Sequence, residues 1–251
     1  MISIFVATPM FGGQCYGGYT DSVIKLAVEC SKRGIRFHFF PIFNESHIDR
    51  ARNVCADEFI KSGFTHLFFI DGDIQFNAAQ ALEMVSLGEN LVCGFYPKKA
   101  INWKRVIEAV KLGYDDPEAI ERFGTYLVYT PSLDDSGQYR SIYDLSEIHE
   151  GGTGFMCIKR GVFDAILEKN PGLVYHKYGP GSEKITCYFD AHIDREPYPH
   201  FITEDYGFCE LARRAGYKVM LAPWIKLTHH GYYRWIGDIE AMSKILMKEA
   251  A

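Results

Sequence analysis

Apolar runs alternate with amphipathic stretches through the first part of the chain. Runs rich in β-branched and aromatic residues predict four strands, at 2–8, 35–43, 65–70 and 90–96. Between these runs, apolar residues recur every three or four positions, which predicts helices at 20–34, 46–63 and 77–88. Strands that alternate with helices through short loops indicate right-handed βαβ units and a largely parallel sheet.

Polar residues mark the expected starts of these three helices. Thr20 and Asn77 stand where an N-cap side chain would accept backbone N–H groups, and Ser46 with Asp49 has the spacing of a capping box. Gly34 follows the last apolar position of the first helix and is typical of a helix terminator.

The second part of the chain is less regular. Residues 114–139 are polar and rich in turn-forming residues. Further strands are predicted at 141–148, 152–160, 184–190, 217–223 and 224–231, and further helices at 161–170 and 203–215. We interpret 1–251 as one continuous α/β domain, with a βαβ-built half at 1–100 and a mixed-sheet half at 101–251.

Composition excludes several classes of protein. The 251 residues are 47% hydrophobic and 24% charged, as in ordinary soluble proteins, and no run is long enough for a membrane span. The first apolar run lacks a preceding basic region, so we expect a strand there and not a signal peptide. Seven cysteines without CxxC spacing indicate reduced thiols and a cytoplasmic compartment. A net charge of −5 argues against a nucleic-acid partner.

Two carboxylates end the third predicted strand, in the stretch FFIDGDIQF. Asp71 and Asp73 would lie at the carboxyl edge of the sheet, where open α/β folds bind ligands. Two neighbouring carboxylates repel each other, and a hard divalent cation shared with substrate phosphates would relieve that repulsion. The alternative is a plain Asp-Gly turn after a strand.

Two further polar clusters occur downstream. Glu204 and Asp205 open a predicted helix, where acids also favour the helix dipole for stability alone. His229 and His230 follow an apolar strand, and one imidazole would complete a carboxylate-rich site for Mn²⁺, although paired histidines are also common at surfaces.

The order and flanks of these clusters carry a family resemblance. FVATPMFGG, THLFFIDGDIQF, GGTGFMCIKRGVF, TEDYGFCELARRAGYKVMLAP and LTHHGYYRWIGD follow one another along nearly the whole chain. This series resembles nucleotide-sugar-dependent glycosyltransferases of the GT-A fold. HIDRARN, GFYPKKAINW and HHGYYRWIGD are similar to the small DxD glycosyltransferases of large DNA viruses (chloroviruses) and of bacteriophages.

The resemblance implies specific roles. Asp73, with Asp71 acting through water or the ribose, would hold Mn²⁺ or Mg²⁺ against the donor diphosphate, and His229 would add a ligand, with His230 as the alternative. Asp205 would be the general base and Glu204 would orient it or the acceptor. Should Glu204 and Asp205 serve only the helix start, Asp190 or Asp194 would be the next candidates for the base.

The same resemblance implies a donor site. Thr8 at the end of the first strand, with Pro9 and Phe11 after it, would open this site, and Gly72 would let the backbone approach the ligand. Where related enzymes have an Asp for the nucleoside, this chain has Asn44 and Glu45. Arg50 and Arg52 stand near the start of a predicted helix, where cations are electrostatically unfavourable unless an anion binds beside them. Their position suggests that the diphosphate of the donor binds near these two arginines. The remaining candidates for donor contacts are Arg50, Arg52, Asn53, Lys98, Lys99, Trp103, Gly152, Thr153 and Gly154.

The expected activity is transfer of a sugar from a nucleotide diphosphate sugar to a hydroxyl of a carbohydrate, a glycoconjugate or another acceptor. UDP is the first choice of nucleotide and GDP the second; retention or inversion stays open. Competing interpretations are a haloacid-dehalogenase-type phosphatase, a nucleotidyltransferase and a carbohydrate-binding module without catalysis. The DxD motif of the phosphatase class stands near the N-terminus, whereas Asp71 here follows two predicted βα units.

Overall fold

The computed structural model describes residues 2–133, 144–195 and 197–239. Its strands are β1 Ser3–Met10, β2 Arg36–Phe43, β3 His66–Ile70, β4 Ile74–Gln75, β5 Leu91–Phe95, β6 Pro97–Ile101, β7 Thr125–Leu127, β8 Tyr129–Pro131, β9 Ser146–Gly151, β10 Phe155–Lys159, β11 Val174–His176, β12 Lys184–Thr186, β13 His192–Asp194, β14 His200–Ile202, β15 Val219–Lys226, β16 Thr228–His229 and β17 Trp235–Ile236. Its helices are α1 Gly17–Lys32, α2 Ile48–Ser62, α3 Ala78–Ser86, α4 Trp103–Lys111, α5 Pro117–Phe123, α6 Arg160–Lys169 and α7 Glu204–Arg214, with a 3₁₀ turn at Phe11–Gly13.

Eight strands form a central mixed sheet in the order β2-β1-β3-β10-β5-β15-β9-β8. The pairs β1–β2 and β1–β3 are parallel, as the βαβ pattern predicts, and β5–β15 is parallel as well. Strand β10 runs antiparallel between β3 and β5, so a strand from the second part of the chain separates two strands of the first. The expected α/β fold with a mixed sheet is confirmed, whereas the largely parallel sheet is not.

The core lies on both faces of this sheet. Along β3, Leu67 and Phe69 face one layer of apolar side chains, and Phe68 and Ile70 face the other. Helices α2, α6 and α7 cover the first face, and α1 and α3 cover the second. Because β3 is buried on both sides, its residues Leu67–Ile70 are all apolar, and this run is the feature that made the strand recognisable. The strand ends at the buried Ile70, so Asp71 is the first residue after it.

Of the helix starts predicted from capping residues for α1, α2 and α3, the structure confirms one. Asn77 caps α3, and its side chain accepts the N–H groups of Ala79 and Gln80. Helix α1 begins at Gly17, so Thr20 lies inside its first turn. The earlier start follows from a tertiary contact, because the Tyr16 N–H donates to the Gly72 carbonyl and fixes the chain just before the helix.

The capping box predicted for α2 does not form. His47 is the residue before the helix, and no side chain caps it. Asp49 accepts the N–H of the adjacent Arg50 instead. The box fails because the helix begins at Ile48, two residues after Ser46, which places neither side chain in the reciprocal geometry.

The polar region from residue 114 contains more regular structure than expected. Asp116 caps α5 and Pro117 occupies its first turn, a start signal that the sequence carries. Strands β7 and β8 follow, and residues 134–143 lie outside the described part, as does the start of the strand predicted at 141–148. Among the described residues, no helix combines the length and the apolar character needed to cross a membrane.

Candidate active site

A cleft lies at the carboxyl ends of β1 and β3, where the sheet topology predicts a ligand. Its volume is about 760 Å³. The lining residues come from the end of β1, the following turn, the start of α2 and the end of β3: Pro9, Met10, Phe11, Gly13, Gln14, Cys15, Tyr16, Ile48, Asp71, Gly72 and Asp73. A volume of this size is in the range of small-molecule sites.

Two basic groups converge on one oxygen of Asp73. The Nζ of Lys99 lies 2.5 Å and the Nε2 of His229 lies 3.3 Å from Asp73 Oδ2. The Nδ1–H of His229 donates to the Pro97 carbonyl at 2.7 Å, so a neutral ring carries its lone pair on Nε2, whereas a doubly protonated ring donates Nε2–H to Asp73. A backbone carbonyl that accepts from Nδ1–H is a usual partner of a metal-ligating imidazole.

The pKa of Asp73 is below its ordinary value. Burial alone raises the pKa of this carboxyl, but the hydrogen bonds and charges of His229 and Lys99 together lower it by more. The carboxylate is therefore ionised at neutral pH, which is the state that a cation needs.

The neighbouring His230 faces another direction. Its Nε2–H donates to Gln75 Oε1 at 2.8 Å, and its ring stacks on Tyr16 at 5.5 Å between centroids. Burial and the positive charge of Arg234 lower its pKa. The Cβ that Gly18 lacks would lie 2.7 Å from this imidazole, so the glycine permits the packing. Of the two histidines, the geometry brings His229 to Asp73.

A buried arginine holds the other carboxylate of the motif. Arg52 Nη2 donates to both oxygens of Asp71, at 3.1 and 3.2 Å, and Arg52 Nε donates to Glu204 Oε1 at 3.2 Å. The Arg52 guanidinium lies over the Phe69 ring, 5.2 Å from its centroid. The prediction that Arg52 contacts a diphosphate near the surface therefore needs correction, because tertiary carboxylates already neutralise it.

The two acids at the start of α7 have different surroundings. Burial raises the pKa of Glu204, and the charge of Arg52 offsets part of that rise. Asp205 Oδ1 accepts the N–H of Tyr206 at 2.9 Å and the hydroxyl of Thr203. Thr203 precedes the helix without capping it through its side chain. These contacts orient the Asp205 carboxylate at the helix start and leave Oδ2 as the atom for another partner.

A cation fits at Asp73 and His229 as a two-ligand protein site. Within the described ranges, no group of three or more His, Cys, Asp or Glu side chains is arranged for a metal. Mg²⁺ and Mn²⁺ sites of phosphate-handling enzymes commonly use one or two protein ligands and complete the shell with substrate oxygens and water. In this structure the ammonium group of Lys99 lies against the same oxygen of Asp73.

The first strand contributes less than predicted. Pro9 and Phe11 line the cleft with Gly72. Thr8, by contrast, is fully buried and its hydroxyl pairs with the Tyr19 hydroxyl at 2.5 Å, so its side chain does not reach the cleft.

Three polar residues around the start of α2 pair with protein groups. Glu45 contacts Arg50, with 3.2 Å between Oε2 and Nη2. The turn that places Glu45 uses Asn44 in the left-handed conformation, at φ 59°. Asn53 is buried, and its amide both donates to and accepts from the backbone of Phe189 at 2.8 Å. The proposed contact of Asn53 with the donor is therefore replaced by a role in packing.

Lys98 and Trp103, which were predicted to contact the donor, lie away from the main cleft. Lys98 is exposed on β6, one residue before Lys99. Trp103 is 65% exposed and lines a different hollow of about 280 Å³ beside α4 and α5, where Tyr233 donates to Glu121. Trp103 does not line the main cleft.

Tyr96 occupies the space beside Gly152 and Gly154, two of the residues predicted to contact the donor. A Cβ on Gly152 would lie 2.0 Å from the Tyr96 hydroxyl, and one on Gly154 would lie 2.8 Å from its ring. The Gly154 N–H donates to that hydroxyl at 3.2 Å. Thr153 is buried, with a hydroxyl that has no hydrogen-bond partner among the described atoms. The small residues thus make room for a tyrosine.

Tyr96 is a site residue that the sequence did not reveal. Its ring meets His229 edge-on at 5.6 Å. Burial and the negative charges of Asp71 and Asp205 raise its pKa, so its hydroxyl stays protonated beside the carboxylates. A further missed group is the turn Gln14–Tyr16, which the glycine-rich stretch FGGQCYGG between a strand and a helix could have indicated.

Asp190 and Asp194 lie elsewhere. They line a separate hollow of about 330 Å³ with His192, Glu210 and Arg214, on the outer side of α7. The structure does not bring them to the main cleft.

Comparison with known proteins gives a likeness of fold. No family model and no curated protein sequence matches the chain. The crystal structure of A197 from STIV matches with a TM-score of 0.50 and 16% identity, over 94% of this chain and 95% of that one. GalNAc-T7, solved with UDP, GalNAc and Mn²⁺, gives a TM-score of 0.48 and 11% identity over 98% of this chain and 48% of that one. The inositol-1-phosphate CTP transferase from T. maritima gives 0.43 and 10%, over 97% and 96%.

Proposed function

We propose that this chain is a divalent-cation-dependent glycosyltransferase that moves a sugar from a nucleotide diphosphate sugar to a hydroxyl of a carbohydrate or glycoconjugate. The observation that supports it most is the convergence of Asp73 and His229, at 3.3 Å, beside a cleft at the carboxyl edge of the sheet. An ionised carboxylate and an imidazole with a free lone pair suit Mn²⁺, which also binds diphosphate oxygens. The donor of first choice is a UDP-sugar.

The cleft residues have distinct tasks in this proposal. Pro9, Phe11 and Gly72 would contact the nucleotide, with Ile48 as an apolar wall. Asp73 and His229 would hold the cation, which when bound neutralises charge on the departing diphosphate. The side chain of Lys99 is 37% exposed. When the cation binds, Lys99 would leave Asp73 and pair with a phosphate oxygen.

Asp205 is the residue proposed to accept the proton of the acceptor hydroxyl. Thr203 and the Tyr206 N–H fix one of its oxygens, so the other is presented in a defined direction. Glu204 is committed to Arg52 and would orient the acid pair. The stereochemical outcome depends on where the acceptor binds relative to the donor, and Asp205 acts as the base only in the inverting case.

The competing activities make different demands on the same residues. A phosphatase that uses Asp71 as nucleophile needs a free carboxylate, whereas both oxygens of Asp71 accept hydrogen bonds from Arg52. A nucleotidyltransferase would consume a nucleoside triphosphate and release inorganic pyrophosphate.

The compartment in which the chain works is also part of the proposal. Its seven unpaired cysteines suit a reducing compartment such as the cytoplasm.

A donor panel tests the proposal. The purified chain is incubated with UDP-, GDP- and dTDP-sugars and a mixture of monosaccharide acceptors, with Mn²⁺ or with excess EDTA, and nucleotide release is measured. We expect release of UDP that EDTA abolishes and Mn²⁺ restores. Pyrophosphate release from a nucleoside triphosphate with a sugar phosphate, in the absence of any release from nucleotide sugars, would favour the nucleotidyltransferase.

A further inference from the structure

Arg52 connects Asp71 with Glu204, which lies 152 residues after Arg52 in sequence. It lies on α2, and its guanidinium reaches Asp71 at the end of β3 and Glu204 at the start of α7. The side chains of Arg52, Asp71 and Glu204 are 4%, 30% and 13% exposed. One rigid cation thus joins the carboxylate of the strand motif to the acidic pair of the helix.

Stability alone does not account for this arrangement. Burying three charged groups removes them from water, and well-packed apolar residues are often equally stable in such a place. The Nη1 of Arg52 is buried with no hydrogen-bond partner among the described atoms, which adds a further desolvation cost. Two carboxylates around one guanidinium also leave a net negative charge.

A second, partly buried arginine provides an internal comparison. Arg160 on α6 donates to the backbone carbonyls of Phe59, Ile60 and Phe64 and also lies over a phenylalanine ring. Its guanidinium therefore ties α6 to the end of α2 and the following turn. The hydrogen bonds of Arg52, by contrast, go to two carboxylates: Asp71, which lines the cleft, and Glu204 at the start of α7.

We infer that Arg52 is a positioning residue that holds Asp71 and Glu204 at a fixed separation and thereby orients Asp205 relative to the cation site. The inference rests on the proposed function. A planar guanidinium has donors in fixed directions, so it sets distance and angle between two acids in a way that a lysine ammonium does not. Arg52 acts through these carboxylates and does not touch the substrate.

The two carboxylates of the strand motif then differ in their tasks. Asp71 points both oxygens at Arg52 and also receives the N–H of Ile74 on its carbonyl, which fixes the turn. Asp73 faces His229 and Lys99. Asp71 supports the geometry of the site, while Asp73 is the carboxylate that would bind the cation.

The functional arm of the test replaces Arg52 by lysine. Arg52→Lys is compared with Arg160→Lys, which weakens a partly buried structural arginine. For the donor and acceptor used by the wild-type chain in the panel above, we expect kcat of Arg52→Lys to fall about 10²-fold per folded molecule with donor KM within about 3-fold of wild type. Arg160→Lys should lower the melting temperature without lowering kcat per folded molecule.

The second arm does not depend on activity. Asp71→Asn, Glu204→Gln and the double variant are unfolded in urea, in the wild-type and in the Arg52→Gln background. We expect the two single effects to be non-additive with Arg52 present and additive without it. Additive effects in both backgrounds, or a kcat for Arg52→Lys equal to that for Arg160→Lys, would overturn the inference. A wild-type chain without nucleotide-sugar activity would refute the proposed function, and the coupling between Asp71 and Glu204 would still decide whether Arg52 links them.

Discussion

His229 Nε2 lies 3.3 Å from Asp73 Oδ2, and the other ring nitrogen of His229 bonds the Pro97 carbonyl at 2.7 Å. The two side chains come from β16 and from the turn between β3 and β4, and β4 pairs with β16. The backbone N–H of His230 also donates to the backbone carbonyl of Asp73 at 2.8 Å. Backbone pairing therefore holds an imidazole and a carboxylate together at the edge of the cleft.

Replacing His229 and His230 one at a time tests which of them is the proposed cation ligand and which one only packs. His229→Ala should weaken Mn²⁺ binding in the presence of UDP by 10-fold or more, on the order of 1.4 kcal/mol, because one of two protein ligands is lost. His230→Ala keeps that ligand and should change the affinity by less than about 3-fold. Titration calorimetry with Mn²⁺ measures both. Equal losses in the two variants would contradict the assignment.

Lys99→Ala removes the ammonium that competes with a cation for Asp73. Mn²⁺ should then bind the nucleotide-free chain more tightly, by up to about 5-fold, since a partly exposed ion pair contributes at most about 1 kcal/mol. UDP affinity in the presence of Mn²⁺ should fall, because Lys99 is proposed to contact a phosphate. Lys98→Ala, a change of the exposed neighbour, is the control. Weaker Mn²⁺ binding by Lys99→Ala would show that its ammonium supports the cation site.

Asp205→Asn should abolish transfer while leaving donor binding intact. The amide keeps the shape of the carboxylate but loses its affinity for a proton, so kcat should fall about 10²–10⁴-fold. Melting temperature and UDP affinity should stay near those of the wild type. Glu204→Gln should lose less activity. If Glu204→Gln is inactive and Asp205→Asn is active, the roles are exchanged; if both variants are active, neither acid is the base.

His66 makes stability depend on pH in the mildly acidic range. Burial, followed by the charge of Lys159, lowers its pKa to about 4, and its Nε2 is buried without a hydrogen-bond partner among the described atoms. The unfolded chain takes up this proton near pH 6.5, so the free energy of unfolding should fall between pH 6.5 and 4, by up to about 3 kcal/mol. His66→Gln should flatten that slope by one proton in urea unfolding at several pH values. An unchanged slope would show that other groups carry it.

Several local elements and the parallel pairing of β1 with β2 and β3 were predictable from sequence, whereas the neighbours of β10 were not. The buried β3 and the cap at Asn77 follow from short-range pattern and hydrogen bonding. The insertion of β10 between β3 and β5 joins segments far apart in the chain, and no local pattern encodes that neighbour. The same holds for the early start of α1, which a contact with Gly72 determines.

The candidate site shows the same division. Asp73 and His229 were predicted because a charged or basic residue after an apolar strand stands out. Arg52 was assigned to an anion because its position near a helix start is visible in the sequence, while Asp71 and Glu204, its actual partners, are visible only in three dimensions. Tyr96 was missed because an aromatic residue after a buried strand is ordinary in sequence, and only packing against Gly152 and Gly154 reveals its place.

Calorimetric titration of UDP into the wild-type chain and into Asp73→Asn, each with Mn²⁺ and with EDTA, tests the central claim most directly. The asparagine keeps the size of Asp73 and removes the charge that a cation needs. We expect UDP to bind the wild-type chain at least about 10-fold more tightly with Mn²⁺ than with EDTA, and Asp73→Asn to show no such difference. UDP binding that is equal with Mn²⁺ and with EDTA in the wild-type chain, or a Mn²⁺ effect that Asp73→Asn retains in full, would contradict a cation site at Asp73 and His229.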